Sequence, residues 1–509
     1  MKRNSFLLTM AALIPLMSCG LPVSVNSSSP QSQSSSLETS STSSNSASDS
    51  SSSQVSYPKT QTATVLETDG AKDLLLSKNY VTASKSPTEN YDVSSSDKEI
   101  ASVRFFGAAL THSSAHVLMK LSKSRRGEII KKLFTSEGAN LNIVRIPIGA
   151  SDFISEDDFF SCADKKGPDG NLLKYFNIDH DAEVIEVAKE IKAVKPNVKI
   201  LATPWSAPAW MKDSGSLCGG SLKDGYEDVF AQYLSNFVSA YEYEGLGIDY
   251  LTLQNEPQNS TTSYPSMKMT STIASKVAVD LNPLLPTTTS LLAYDHNCDN
   301  AVSYVESLEN DYSLDYFSGI AIHGYSGGIV DTVPTLRSEF GKEVYLTELT
   351  EYSYSGKTFS NDLMWSASNA TVYPYSLGLS GTIYWNMALY SDGTPNKGQD
   401  SVCYGVVTID SKDDEDSTYT FNPSFYSMAQ VANMLNISNS NSAIALETNS
   451  NISDVKAASF LTDEGTYEMV LVNDGVAKED VSIGFGGYSL SYDLQENSIT
   501  SFALMKGGG

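Results

Sequence analysis

Eight times between residues 101 and 386 a short, β-prone apolar run ends in a turn, and most of these turns lead into a stretch with helical spacing. The candidate strands are 102–107, 142–147, 199–204, 249–255, 288–294, 318–323, 343–348 and 381–386. Segments such as SRRGEIIKKLFT, HDAEVIEVAKEIKAV and YEDVFAQYLSNFVSAYEYEG lie between them, with apolar residues at three-and-four spacing and charges elsewhere. Eight such units over roughly 300 residues predict an α/β fold, a (β/α)8 TIM barrel, spanning 101–420. A doubly wound sheet is the rival. No Gly-rich phosphate loop follows the first strand, and the chemistry-bearing residues cluster just after strand ends, where barrels build their sites.

The flanks read differently. Residues 59–100 carry short β-like pieces (TATVLET, KDLLLS), and 421–509 reads as successive strands separated by turns. Together they are expected to form a β-sandwich attached to the barrel. At the N-terminus, Lys2 and Arg3 precede an apolar run from Phe6 to Leu16, too short to span a bilayer. It ends Leu16-Met17-Ser18-Cys19-Gly20, which resembles a bacterial lipoprotein signal (1–19) with Cys19 as the lipidated residue. The Ser-rich stretch 20–58 cannot bury enough apolar surface to fold and reads as a disordered tether. The expectation is an exported, monomeric cell-surface lipoprotein that meets the membrane only through its lipid.

Lys and Arg number 34 against 60 Asp and Glu, a net charge of −26. Such a surface repels nucleic acid and anionic lipid, so neither is expected as a partner. The pairing of Cys162, Cys218, Cys298 and Cys403 stays open, since their spacing matches no metal site and connectivity cannot be read from sequence. The five His form no H-E-x-x-H or comparable motif, so neither a metal nor any cofactor is expected.

Two strand ends deliver acids. DYLTLQNEP places Asn255 and Glu256 where the fourth strand stops at a proline, and EVYLTE ends the seventh strand on Glu348. Either alone would be an ordinary solvated charge. Two together suggest two-carboxylate chemistry on a sugar. The sequence Gly324-Tyr325-Ser326-Gly327-Gly328 fits the G-x-S-x-G elbow of serine hydrolases, but that fold needs a His after the Ser and the last His is His323.

In order along the chain come PWSAPAWMK, QNEP and YWNMAL. This set resembles glycoside hydrolase family 30, the group that includes glucosylceramidases and β-1,6-glucanases. The resemblance implies a barrel with an attached β-sandwich, Glu256 as general acid/base and Glu348 as nucleophile. A retaining pair sits about 5–5.5 Å apart. It further implies that Asn255 bonds the sugar 2-hydroxyl, and that Trp205, Tyr325 and Trp385 line the sugar pocket with His323, which also reads as a hydrogen-bonded support. Arg145 and Asp152 are expected as an internal ion pair supporting the site. His112 stands where the glucosylceramidases carry an Asp in GGA-x-T-D. As a substrate contact it would alter sugar choice, since an imidazole donates where a carboxylate only accepts. The expected activity is a retaining β-glycosidase acting on a carbohydrate or glycolipid, either a glucosylceramide-type β-glucoside or β-1,6-glucan. The alternatives are a β-xylosidase, β-fucosidase or xylanase of the same barrel clan, or a non-catalytic glycan-binding lipoprotein. The last has no need of both carboxylates.

Overall fold

Strands that are apolar on both faces must be covered on both. In the computed structural model, which describes residues 59–85, 90–397, 402–437 and 442–505, the chain meets this by closing a barrel. Its eight strands are Phe105–Ala109, Ile143–Ile148, Lys199–Pro204, Tyr250–Thr252, Ser290–Asn297, Phe317–His323, Glu343–Glu348 and Leu379–Tyr384. They are parallel and pair in chain order, the eighth returning to the first.

The barrel interior is packed with side chains. Phe105 stacks on Tyr345 with centroids 4.9 Å apart, and Tyr250 meets Phe105 edge-on at 5.6 Å. Room for these rings comes from two glycines. A Cβ on Gly381 would lie 2.4 Å from the Phe105 ring, and one on Gly319 would lie 2.6 Å from the Tyr345 ring.

A second sheet of nine strands also closes on itself. It takes three strands, Thr60–Asp69, Ser77–Lys85 and Val93–Val103, from the N-terminal side. The other six run from Ala443–Ser450 to Ser498–Met505. KDLLLS is mainly the loop before the second of these strands. Two expected boundaries shift. Ser102 and Val103 still belong to the β domain, pairing with Ile444 and Ala443, and the barrel begins at Phe105. The segment after Asn422 first forms a helix, Pro423–Leu435, with Pro at its start and Asn436 closing it at φ 46°. That helix is the seam of the molecule, with the Ser501 hydroxyl of the nine-stranded sheet donating to the Gln430 carbonyl at 2.8 Å.

Cys19 and the Ser-rich tether lie outside the described residues. No helix among the described residues is long and apolar enough to cross a membrane. The four described cysteines are free thiols.

Gly381→Ala pushes a methyl group into the Phe105 ring. It is expected to cost about 1–3 kcal/mol of stability, read as a lower midpoint in urea denaturation with the slope unchanged.

Candidate active site

At the C-terminal mouth of the barrel the strand ends are bent rather than ideal. Glu256, Tyr294, Asp295 and Asn386 all have positive φ, at 47°, 75°, 65° and 64°. Such backbone is disfavoured for residues other than glycine and is held only where surrounding bonds enforce it. The fourth strand is shorter than its apolar run predicted, ending at Thr252. The Gln254 amide donates to the Trp205 carbonyl at 2.7 Å, and the Glu256 N–H donates to the Asp295 carbonyl at 2.9 Å. These contacts turn the Glu256 side chain into the mouth.

The centre is an ionic network whose Arg145 and Asp295 have no access to solvent. The fully buried Arg145 guanidinium donates to Glu348 Oε2, to Asn255 Oδ1 at 2.8 Å and to Asp295 Oδ2 at 3.1 Å. Asp295 also accepts from Thr347 at 2.6 Å, Thr252 at 2.8 Å and Thr203 at 3.3 Å. Its other contact is His323 Nε2, 3.1 Å from Oδ1. Burial works against ionisation of Asp295, but Arg145, His323 and Thr347 outweigh it and hold the carboxyl far below the usual range. Arg145 also lies beneath the Trp pair, 4.9 Å from the Trp205 ring and 5.6 Å from Trp385.

Above this network lies a cavity of about 230 Å³. This is below the roughly 300–1,000 Å³ of drug-sized sites, suiting a small ligand unit such as one sugar ring. Glu256 and Glu348 both line it, with Asn255, Asp152, Trp205, Tyr325 and Trp385. Trp205 and Trp385 stack at 5.1 Å, and Phe153 meets Trp385 edge-on at 5.7 Å. The Tyr325 hydroxyl donates to Glu348 Oε1 at 3.0 Å, so both oxygens of that carboxylate are held. Glu256 is held by Asn259, whose amide donates to Oε2 at 2.8 Å, and by the His296 and His323 Nδ1 atoms at 3.5 and 3.4 Å from Oε1. Burial raises the Glu256 pKa, yet the two imidazoles outweigh it and hold the carboxyl low. For His323, burial favours the neutral ring, but Glu348, Asp295 and Glu256 push its pKa up to about 9. The His323–Glu256 couple therefore carries a proton near neutrality, on the histidine side.

Three expectations need correction. His112 does not reach the cavity. Thr111 caps the helix His112–Lys120, accepting from the Ser114 N–H, and the imidazole is buried with Nε2 2.8 Å from Asp181. Asp181 in turn accepts from Tyr241, so His112 ties helices together and does not line the cavity. The acid at the cavity wall is Asp152 instead. Arg145 pairs with Glu348 and Asp295, not with Asp152. His323 is fully buried and does not line the cavity; it braces the carboxylates, the supporting role also expected of it. Glu351, the nearest rival to Glu348, accepts from the Ser424 N–H, and burial raises its pKa to about 7.

The motifs do not disclose Asp295, His296 and Asn297, at the end of the fifth strand, or Tyr264, Tyr352 and Cys403, which also line the cavity. The AYDHN run at that strand end carried the missing signal.

Residues 103–435 match the glycosyl hydrolase family 30 TIM-barrel domain. The chain belongs to that family. Among family 30 relatives, it is 30% identical to an endo-1,6-β-D-glucanase of Aspergillus fumigatus over 81% of this chain and 86% of that protein. It is 25% identical to the lysosomal acid glucosylceramidase of Mus musculus over 78% and 79%. The solved structure of the endo-β1,6-glucanase BT3312 matches with a TM-score of 0.77 at 25% identity, covering 87% of this chain and 99% of that one. The protein is accordingly a glycoside hydrolase with the barrel and attached β domain of family 30.

Replacing Asp295 by Asn leaves Arg145 and His323 buried with too little negative charge. The expected cost is about 3–5 kcal/mol in chemical denaturation. His323 in that variant should also lose its proton below the pH of about 9 that applies in the parent, read by NMR titration.

Proposed function

We propose that the protein is a retaining β-glucosidase acting on β-1,6-linked glucan, with Glu348 as nucleophile and Glu256 as acid/base. One observation carries this reading. Two carboxyls, Glu348 buried and Glu256 partly so, face the same cavity and lie against the same imidazole, His323 at 3.4 Å from Glu256 and 3.9 Å from Glu348, yet are held by different groups. Glu348 is gripped by a guanidinium and a phenol, which fix it for attack on the anomeric carbon. Glu256 sits against the proton-bearing His323 imidazole, so a proton on the couple can pass to Oε1 and on to the leaving oxygen. In the first step Glu348 forms the glycosyl bond as the leaving oxygen departs with that proton. In the second, Glu256 takes a proton from water, which displaces Glu348 and restores the configuration. Because Arg145 is donor-only, Asn255 turns its Oδ1 towards it, leaving its NH2 to meet a sugar hydroxyl. The stacked Trp205 and Trp385 suit a sugar's apolar face. The endo-1,6-β-glucanase relative and the BT3312 structure favour β-1,6-glucan over glucosylceramide.

For location, the Lys2–Arg3 start, the Phe6–Leu16 run and Cys19 support export and attachment through a lipid on that thiol. Fatty-acid labelling of the protein in a bacterial host, lost in Cys19→Ser, is the expected result.

On a panel of β-1,6-glucan, xylan, glucosylceramide and aryl β-glycosides, release from β-1,6-glucan with retained anomeric configuration is expected by NMR. Glu348→Gln should lower kcat roughly 10³-fold or more with the fold intact by circular dichroism. Activity needs the proton on the His323–Glu256 couple. kcat/KM should therefore fall as pH rises past about 9, with a slope of one proton. Preference for xylan, or an unaffected Glu348→Gln variant, would reject the assignment.

A further inference from the structure

Three ligating atoms meet beside the cavity. Glu256 Oε1 lies 3.5 Å from His296 Nδ1 and 3.4 Å from His323 Nδ1, and all three atoms lie within 4.8 Å of one another. Donors about 2.0–2.1 Å from a tetrahedral zinc ion stand about 3.3 Å apart, so the two shorter separations already match. Neither Nδ1 forms a regular hydrogen bond; each faces only Glu256 Oε1, at 3.5 and 3.4 Å, although both atoms are buried and His323 is fully enclosed. Buried nitrogens held just short of a hydrogen bond to a carboxylate oxygen leave a gap that a shared ion can fill.

The surroundings also suit a metal. The contact between His323 Nε2 and Asp295 keeps a proton on Nε2, so an ion that displaces the proton shared by Nδ1 and Glu256 meets an Nδ1 lone pair aimed at Oε1. A carboxylate behind a ligating histidine is the usual way of fixing its tautomer and raising its donor strength. Asn259 holds Oε2 of Glu256, so Oε1, which faces the two imidazoles, is the oxygen offered to an ion. Among the described residues no other group of three His, Cys, Asp or Glu has this spacing. Sequence spacing concealed it, because the three residues come from the ends of three different barrel strands.

We propose that Glu256, His296 and His323 form an inhibitory seat for a divalent transition-metal ion such as Zn²⁺, bound through Oε1, Nδ1 and Nδ1 with a water from the cavity as fourth ligand. Two imidazoles and one carboxylate select borderline ions of this kind over Mg²⁺ or Ca²⁺, which require more oxygen donors. The bound ion occupies the oxygen of Glu256 that exchanges protons, so hydrolysis stops while the ion stays and resumes when a chelator removes it.

Isothermal titration of the chelator-stripped protein with ZnCl2, in the presence of excess MgCl2, tests the seat without reference to turnover. Failure of the proposed function would therefore leave this result standing. One zinc per chain is expected, bound at least tenfold more weakly by His296→Ala and by Glu256→Gln, with substrate hydrolysis by the parent blocked by ZnCl2 and restored by EDTA. Absence of saturable binding, or equal binding by the parent and both variants, overturns the proposal and assigns any zinc to the acidic surface. If His296→Ala does not fold, Glu256→Gln, which preserves side-chain volume, decides by the same criterion.

Discussion

Arg145 is the residue on which the barrel mouth depends. Its guanidinium has no access to solvent, so its charge has to be answered inside the protein, and Asp295 and Glu348 answer it from two other strands. A buried charge removed from such a set leaves its partner uncompensated, a cost far larger than the net worth of the pair. The arrangement is thus less a source of stability than a constraint. It ties the second, fifth and seventh strands together at one level, and it dictates where the Glu348 oxygens lie.

The same economy separates the two glutamates. Glu348 faces a permanent cation and a phenol, whereas Glu256 faces two imidazoles that can give or take a proton. His323 stands between the carboxylates and is itself braced by Asp295. A nucleophile needs a fixed position, and an acid/base needs an exchangeable proton. The positive φ angles at Glu256, Tyr294, Asp295 and Asn386 show what backbone geometry this placement requires. They sit where strands give way to loops, and the surrounding hydrogen bonds hold them.

Much of this was legible in the chain. Each barrel strand is a short apolar run with a turn behind it, and all eight lie within a few residues of their expected places because parallel strands buried on both faces leave that signature. Glu256, Glu348, Asn255, Trp205 and Trp385 stand out because each follows such a run directly. The failures are equally physical. His112 follows a strand too, but Thr111 caps a helix there and the ring turns away towards Asp181. Closeness in sequence points Arg145 to Asp152, while barrel closure brings Asp295 and Glu348 to it from far along the chain. The helix Pro423–Leu435 lies at the head of a run of strands and is short enough to be lost in it, although Pro423 and Asn436 mark its two ends.

Sequence by itself determined the repeating strand–helix units, the flanking β segments and the acids at strand ends, because burial period and strand-end position are properties of neighbouring residues. Only the tertiary structure decided which of those residues share a cavity. Closing the barrel makes partners of the ends of separate strands, and the direction each side chain takes is set by packing and by the demand that buried charges find one another. Asp295, His296 and His323 therefore became visible as one assembly only when the eight strands were closed.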